Sequence, residues 1–172
     1  MIRWSVSLLL FVVTLVAVHF STLHLLPSLI MERAQATMED RGIPMYQWVA
    51  SPRQTPETQT VVRPSPDLSY AVCRFDVQDG PVLISAPGWE GYGSLSIFDE
   101  RTNNVFVADL NGDSASIMLL HWHSKLERVA GVESVFMPNG KGLALIRRLA
   151  PNDALHERAT DLVVDATCGP LK

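Results

Sequence analysis

The chain sets 18 Asp and Glu against 14 Lys and Arg in 172 residues, a net charge of −4. Without a basic cluster interleaved with aromatics, this argues against a nucleic-acid binder. The length suits one modest domain with an appendage. Only two cysteines occur, Cys73 and Cys168, which excludes a C-x-x-C redox pair and a four-cysteine zinc site.

The appendage comes first. Residues 4–26 carry no Lys, Arg, Asp or Glu, and a membrane-spanning helix needs about 20 such residues to cross a core of about 30 Å. The expectation is an anchor over residues 1–30, with its helix at about 4–26. A cleaved signal peptide is the rival reading, since Ala34-Gln35-Ala36 has a small-x-small pattern. Its apolar region, however, is usually only about 7–15 residues, and Glu32 and Arg33 intervene here. Arg3 before the apolar run favours an inside N-terminus and an external C-terminal domain. Pro27 is expected to end or kink the helix, and residues 30–41 to form a short juxtamembrane helix closed by Gly42.

Residues 31–69 form a juxtamembrane and proline-rich approach. Met45 to Val49 reads as a short strand. Prolines at 52, 56, 64 and 66 then prevent helix and central strand. The β-rich domain, residues 70–172, follows. Alternating apolar and polar residues predict strands at 71–76, 81–86, 92–98, 105–110 and 116–120. Asn111-Gly112-Asp113 is expected to be a hairpin turn joining the last two. Ser124 to Glu127 has capping-box spacing, predicting a short helix to Ala130. Strands at 132–137 and 142–149 flank a second hairpin signal, Pro138-Asn139-Gly140-Lys141. A helix capped by Asn152 or Asp153 is expected to run through Ala166, with Gly169 and Pro170 past its end. Tyr46 and Trp48 could cover the core of a sandwich or barrel.

The chemistry-bearing residues are few. Arg74 and Asp76 share a strand face, compatible with an anion site or a structural ion pair. Arg147 and Arg148 point to opposite faces of the late strand, and one of them could join Arg74 around a phosphate or carboxylate. His121 and His123 are weak candidates for a metal pair, with His156 the only other histidine in the domain. Asp109-x-Asn111-x-Asp113 opens like a calcium loop, but Ser114 and Leu120 stand where Gly and Glu are needed. Cys73 and Cys168 are an even pair, so a disulfide in an oxidising compartment and two buried thiols are both open. No cofactor is indicated.

Tyr70-Ala-Val-Cys-Arg-Phe-Asp76, then Asp79-Gly80-Pro81, a glycine-bounded loop, and Gly93-Ser-Leu-Ser-Ile-Phe-Asp-Glu-Arg-Thr-Asn-Asn104 together resemble the bacterial envelope family catalogued as domain of unknown function twelve fifty-four. The likeness is to its short branch, in which one N-terminal helix precedes a single β-rich domain. Gly142 to Pro151 is similar to that branch's late strand, and Cys168 to its terminal cysteine. The resemblance implies a mainly β fold: a small jelly-roll-like sandwich with one N-terminal transmembrane helix and a C-terminal helix. It also implies a place in the bacterial inner membrane, single-pass, with the C-terminal domain periplasmic. A small membrane protein of a companion family, domain of unknown function twelve fourteen, is the implied partner. Longer members approach the tyrosine through an Asn-Pro-Asp-Thr-like sequence, whereas Ser65-Pro66-Asp67-Leu68 stands here, so activity tied to that Asn and Thr does not carry over. The expected role is a non-enzymatic binding or assembly module; the alternative is a hydrolase-like or phosphate/anion-handling domain.

Overall fold

In the computed structural model, residues 2–55, 64–124 and 132–171 are described. The chain opens with one helix, α1 (Ile2–Asp40), which runs through Pro27 instead of stopping there. The expected break between an anchor helix and a juxtamembrane helix is therefore absent. Pro27 removes the N–H that would bond the Leu23 carbonyl, yet the residues on both sides are strong helix formers and the helix continues. Its end matches the expectation. Gly42, at φ +74°, closes the helix: its N–H bonds the Glu39 carbonyl at 2.8 Å, and the Ile43 N–H bonds Met38 at 3.0 Å. This pair of bonds is the Schellman arrangement, for which a left-handed glycine is favoured.

Among the described residues, nine strands build two packed sheets. They are β1 (Val49–Ala50), β2 (Leu68–Asp76), β3 (Val82–Ala86), β4 (Gly93–Asp99), β5 (Asn104–Asp109), β6 (Ala115–His121), β7 (Glu133–Met137), β8 (Lys141–Leu149) and β9 (Thr167–Pro170). The first sheet has the order β1-β2-β8-β4-β5 and the second β7-β6-β3-β9. All pairs are antiparallel except β6 with β7. The protein is thus the mainly β, jelly-roll-like sandwich expected, with a long apolar helix before it and a helix, α2 (Asp153–Asp161), near its end.

Alternation places one face of each sheet in the core. Cys73, Phe75, Leu95, Ile97, Ala144 and Ile146 from the first sheet meet Val82, Ile84, Ile117 and Leu119 from the second. Burying each large apolar side chain contributes about 1.5–3 kcal/mol. Gly142 is needed here, because a Cβ at that position would overlap the Phe75 ring and the Phe98 carbonyl. Tyr46 and Trp48 pack against this core as expected.

Two connections differ from the sequence reading. The 111–113 turn does not join a hairpin: β5 lies in the first sheet and β6 in the second. The 138–140 turn likewise carries the chain from β7 in the second sheet to β8 in the first. Near the C-terminus α2 is shorter than predicted, passing into a 3₁₀ turn at Leu162–Asp165 before β9. Asn152 caps α2 as expected, accepting from the Leu155 N–H. Gly169 and Pro170 lie in β9. The helix expected after Ser124 falls on residues 125–130, outside the described residues.

Candidate functional site

Arg74 points to the outer face of the first sheet, where a strand residue would ordinarily meet water. Instead it is 7% exposed, because the C-terminal part of α1 covers it. Its Nε donates to Gln35 Oε1 at 2.8 Å, Nη1 to the Ile43 carbonyl at 2.9 Å, and Nη2 to Glu39 Oε2 at 2.9 Å. The guanidinium therefore joins three consecutive parts of the chain: the helix body, its last turn and the segment after its cap. Gln35 completes the clasp by donating to the Gly142 carbonyl on β8 at 2.9 Å. Pro27, Ser28, Met31, Ala34, Gln35 and Met38 are the partly or fully covered residues of this stretch. Their spacing is a single helical stripe, so the docked face of α1 follows from its sequence.

Asp76 is not the ion-pair partner of Arg74. It accepts from the Gln78 N–H at 2.9 Å, shaping the turn into β3. The Asp76 carbonyl accepts from the Tyr46 hydroxyl at 2.9 Å. Burial, with Asp76 and Asp79 nearby, raises the pKa of that phenol.

Arg147 and Arg148 lie on opposite sheet faces, as strand geometry demands. Arg147 shares the outer face with Arg74, but it pairs in register with Tyr70, four residues along β2 from Arg74. It donates to Ser96 Oγ at 3.0 Å. Arg148 is 1% exposed at the edge of the core, donating to the carbonyls of Ala159 (3.2 Å) and Pro87 (3.0 Å). Its guanidinium sits 5.9 Å from the centroid of the Trp89 ring, and Arg158 sits 5.6 Å from the same ring. Burial lowers the pKa of Arg148. Arg158 pairs with Glu90 at 2.8 Å, and that hydrogen bond draws the Glu90 carboxyl below its usual range. Trp89, Glu90 and Arg158, with Asp161 and Asp165, line an open cleft of about 340 Å³. Sequence reasoning did not single out Trp89 with Arg158; their meeting depends on α2 packing beside the 87–91 loop.

Arg74, Asp76, Arg147 and Arg148 thus occupy separate settings. His121 and His123 do come together, with ring centroids 5.5 Å apart, and His121 Nδ1 accepts from the His123 N–H at 3.3 Å. Among the described residues no group of three or more His, Cys, Asp or Glu side chains is placed to hold a metal. Cys73 and Cys168 form a disulfide, joining β2 to β9 across the two sheets.

A family model of proteins of unknown function, DUF1254, matches residues 47–167. The chain belongs to this family. The matched region begins after α1 and covers the sandwich up to β9. Among solved structures, the VPA0106 protein from Vibrio parahaemolyticus is similar in fold, with 18% identity and a TM-score of 0.66 over 84% of this chain and 35% of that one. A putative uncharacterised protein from Burkholderia cenocepacia matches with 16% identity and a TM-score of 0.46, over 72% of this chain and 36% of that one. This DUF1254 chain therefore spans about a third of the length of either structure. No curated protein matches it.

Proposed function

We propose that this DUF1254 protein is a single-pass membrane protein of the bacterial envelope whose periplasmic sandwich binds a partner without catalysing a reaction. The observation that carries this reading is the Arg74 clasp. A flexible tether would serve to retain an enzyme near a membrane, whereas a buried guanidinium joining helix to sheet fixes the domain relative to its anchor. Fixed geometry is what a docking or assembly module requires.

Two further points support the anchor. α1 has an 18-residue window with a mean hydropathy of 2.3, none of it buried within the protein, so lipid is the natural solvent for it. Gln35, inside the candidate cleavage pattern, bonds both Arg74 and Gly142, so cleavage there would remove half the clasp. The disulfide suits an oxidising periplasm.

The partner we propose is a small membrane protein of the companion family twelve fourteen. Co-purification of the full chain from detergent extracts tests this. A stable complex with that protein is the expected result; elution of the chain alone, with the candidate partner expressed at equal level, would refute it. The different partners of Arg74, Arg147 and Arg148 weigh against the anion-handling alternative.

A further inference from the structure

The path of α1 across the sandwich gives the domain an orientation. Glu39 meets Arg74 on β2, Gln35 bonds Gly142 on β8, and His24 meets Arg101 in the β4–β5 loop. Arg101 Nη2 lies 3.4 Å from both Nδ1 and the carbonyl of His24. The first sheet runs β2-β8-β4-β5. Followed from Asp40 toward its start, α1 therefore crosses the strands in that order and leaves the domain past the β5 edge. At 1.5 Å per residue, the exposed apolar residues before His24 supply about 30 Å, the thickness of a bilayer core. With α1 as the anchor, His24 lies at the headgroup level and the β5 side of the sandwich faces the bilayer.

A second loop shares that corner. β5 approaches β7 across the two sheets, and β7 flanks β6. β2 ends at Asp76 and leads directly to Val82, the start of β3. Val82 pairs with Leu119, so β6 finishes at the end of the sandwich where β2 and β4 finish. The Asp99–Asn103 loop and the turn after His121 therefore both lie at this end, on the β5–β7 side.

Both loops are suited to an interface. Asp99 is buried and accepts from the backbone N–H groups of Arg101 (2.8 Å) and Asn103 (2.9 Å) and from Asn103 Nδ2 (2.8 Å). Thr102 is held at φ +63°. The loop is thus preorganised with Arg101 beside His24. In the other loop Trp122 is 65% exposed and meets Phe136 edge-on, with centroids 6.4 Å apart. An exposed indole is poorly matched to water, but at a membrane interface its ring and its N–H are both satisfied.

We propose that this corner is a second membrane contact: Arg101 binds a lipid phosphate and Trp122 enters the interfacial layer, so that the domain lies against the bilayer. A guanidinium matches a phosphate bidentately. Glu32 and Glu100 lie near the same junction, so the contact uses the phosphate common to all phospholipids and not a net positive surface. The inference rests on α1 being the anchor.

The test uses the full chain in nanodiscs of phosphatidylethanolamine and phosphatidylglycerol, with single spin labels at Thr102→Cys, His123→Cys, Val164→Cys and Val13→Cys. Val164 is 86% exposed in the turn leading to β9, the edge strand farthest from β7. Power saturation compares access of oxygen with access of a water-soluble nickel complex. The expected ratio is highest at 13, intermediate at 102 and 123, and several-fold lower at 164, on the side away from the bilayer. The combined substitutions Arg101→Ala and Trp122→Ala should bring 102 and 123 close to the value at 164 while leaving 13 unchanged. Values at 102 and 123 equal to that at 164, with 13 deep in the bilayer, would overturn the second contact and spare the anchor. A water-accessible position 13 would overturn both.

Discussion

Arg74 and Glu39, 2.9 Å apart, join a sheet to a helix that begins outside the domain. The two ends of this ion pair are unequal: the Arg74 side chain is 8% exposed and that of Glu39 is 74% exposed. The arginine therefore holds α1 chiefly through its hydrogen bonds to Gln35 and Ile43, with the carboxylate as a solvated third partner. Arg74→Met should loosen the junction by about 2–3 kcal/mol, since three hydrogen bonds are lost and the partly buried Gln35 and Ile43 acceptors lose their partner. Glu39→Gln should cost less than about 1 kcal/mol, as expected for an exposed pair. Hydrogen exchange of the amides at 35–43 separates the two: it should accelerate on the order of 10²-fold for Arg74→Met and little for Glu39→Gln.

The disulfide closes a separation of 95 residues. By the loop-entropy argument it should contribute about 4.7 kcal/mol. Urea unfolding of the full chain in detergent, with and without reductant, should show a loss of that order. Equal midpoints would mean that the sandwich does not depend on the β2–β9 link.

Arg148 bridges the carbonyls of Ala159 and Pro87 from a buried position. Arg148→Ala should destabilise by about 3 kcal/mol, because both acceptors lose their partner and a cavity opens. Arg148→Lys should recover little, since one ammonium lacks the planar fork that reaches two acceptors. Full recovery by lysine in a denaturant titration would contradict this assignment.

Glu100 gives a pH dependence. Burial, then the Asp99 charge, raises its folded pKa above the usual value. A raised carboxyl binds its proton more tightly when folded, so its cost is absent below the unfolded pKa and fully present above the folded one. Glu100→Gln should therefore raise the melting temperature at pH 7 and have little effect near pH 4. A gain that persists unchanged at pH 4 would point to a cause other than this titration.

Much of the sandwich was legible in the sequence because a half-buried strand writes its alternation into neighbouring residues. β2, β4 and β8 appear close to where the pattern placed them. The errors lie where local signals meet non-local choices. Asn111-Gly112-Asp113 and Pro138-Asn139-Gly140 do turn the chain, but a turn does not say which sheet receives the next strand. Pro27 is a helix breaker by local chemistry, yet the apolar segment before it and the docked stripe after it keep α1 continuous. The Arg74–Asp76 spacing correctly placed both residues on β2, but the true partners, Gln35 and Glu39, are nearly 40 positions earlier and come into reach only when α1 folds back over the sheet. The Cys73–Cys168 link was readable as one of two options because only two cysteines exist.

The central claim is that helix and sandwich form one rigid unit. The most direct measurement is a double electron–electron resonance distance between spin labels at Val18→Cys on α1 and Asp113→Cys on the sandwich, in nanodiscs. The account predicts a single narrow distribution that broadens when Arg74→Met is added. A broad distribution in the otherwise unaltered chain, unchanged by Arg74→Met, would contradict it.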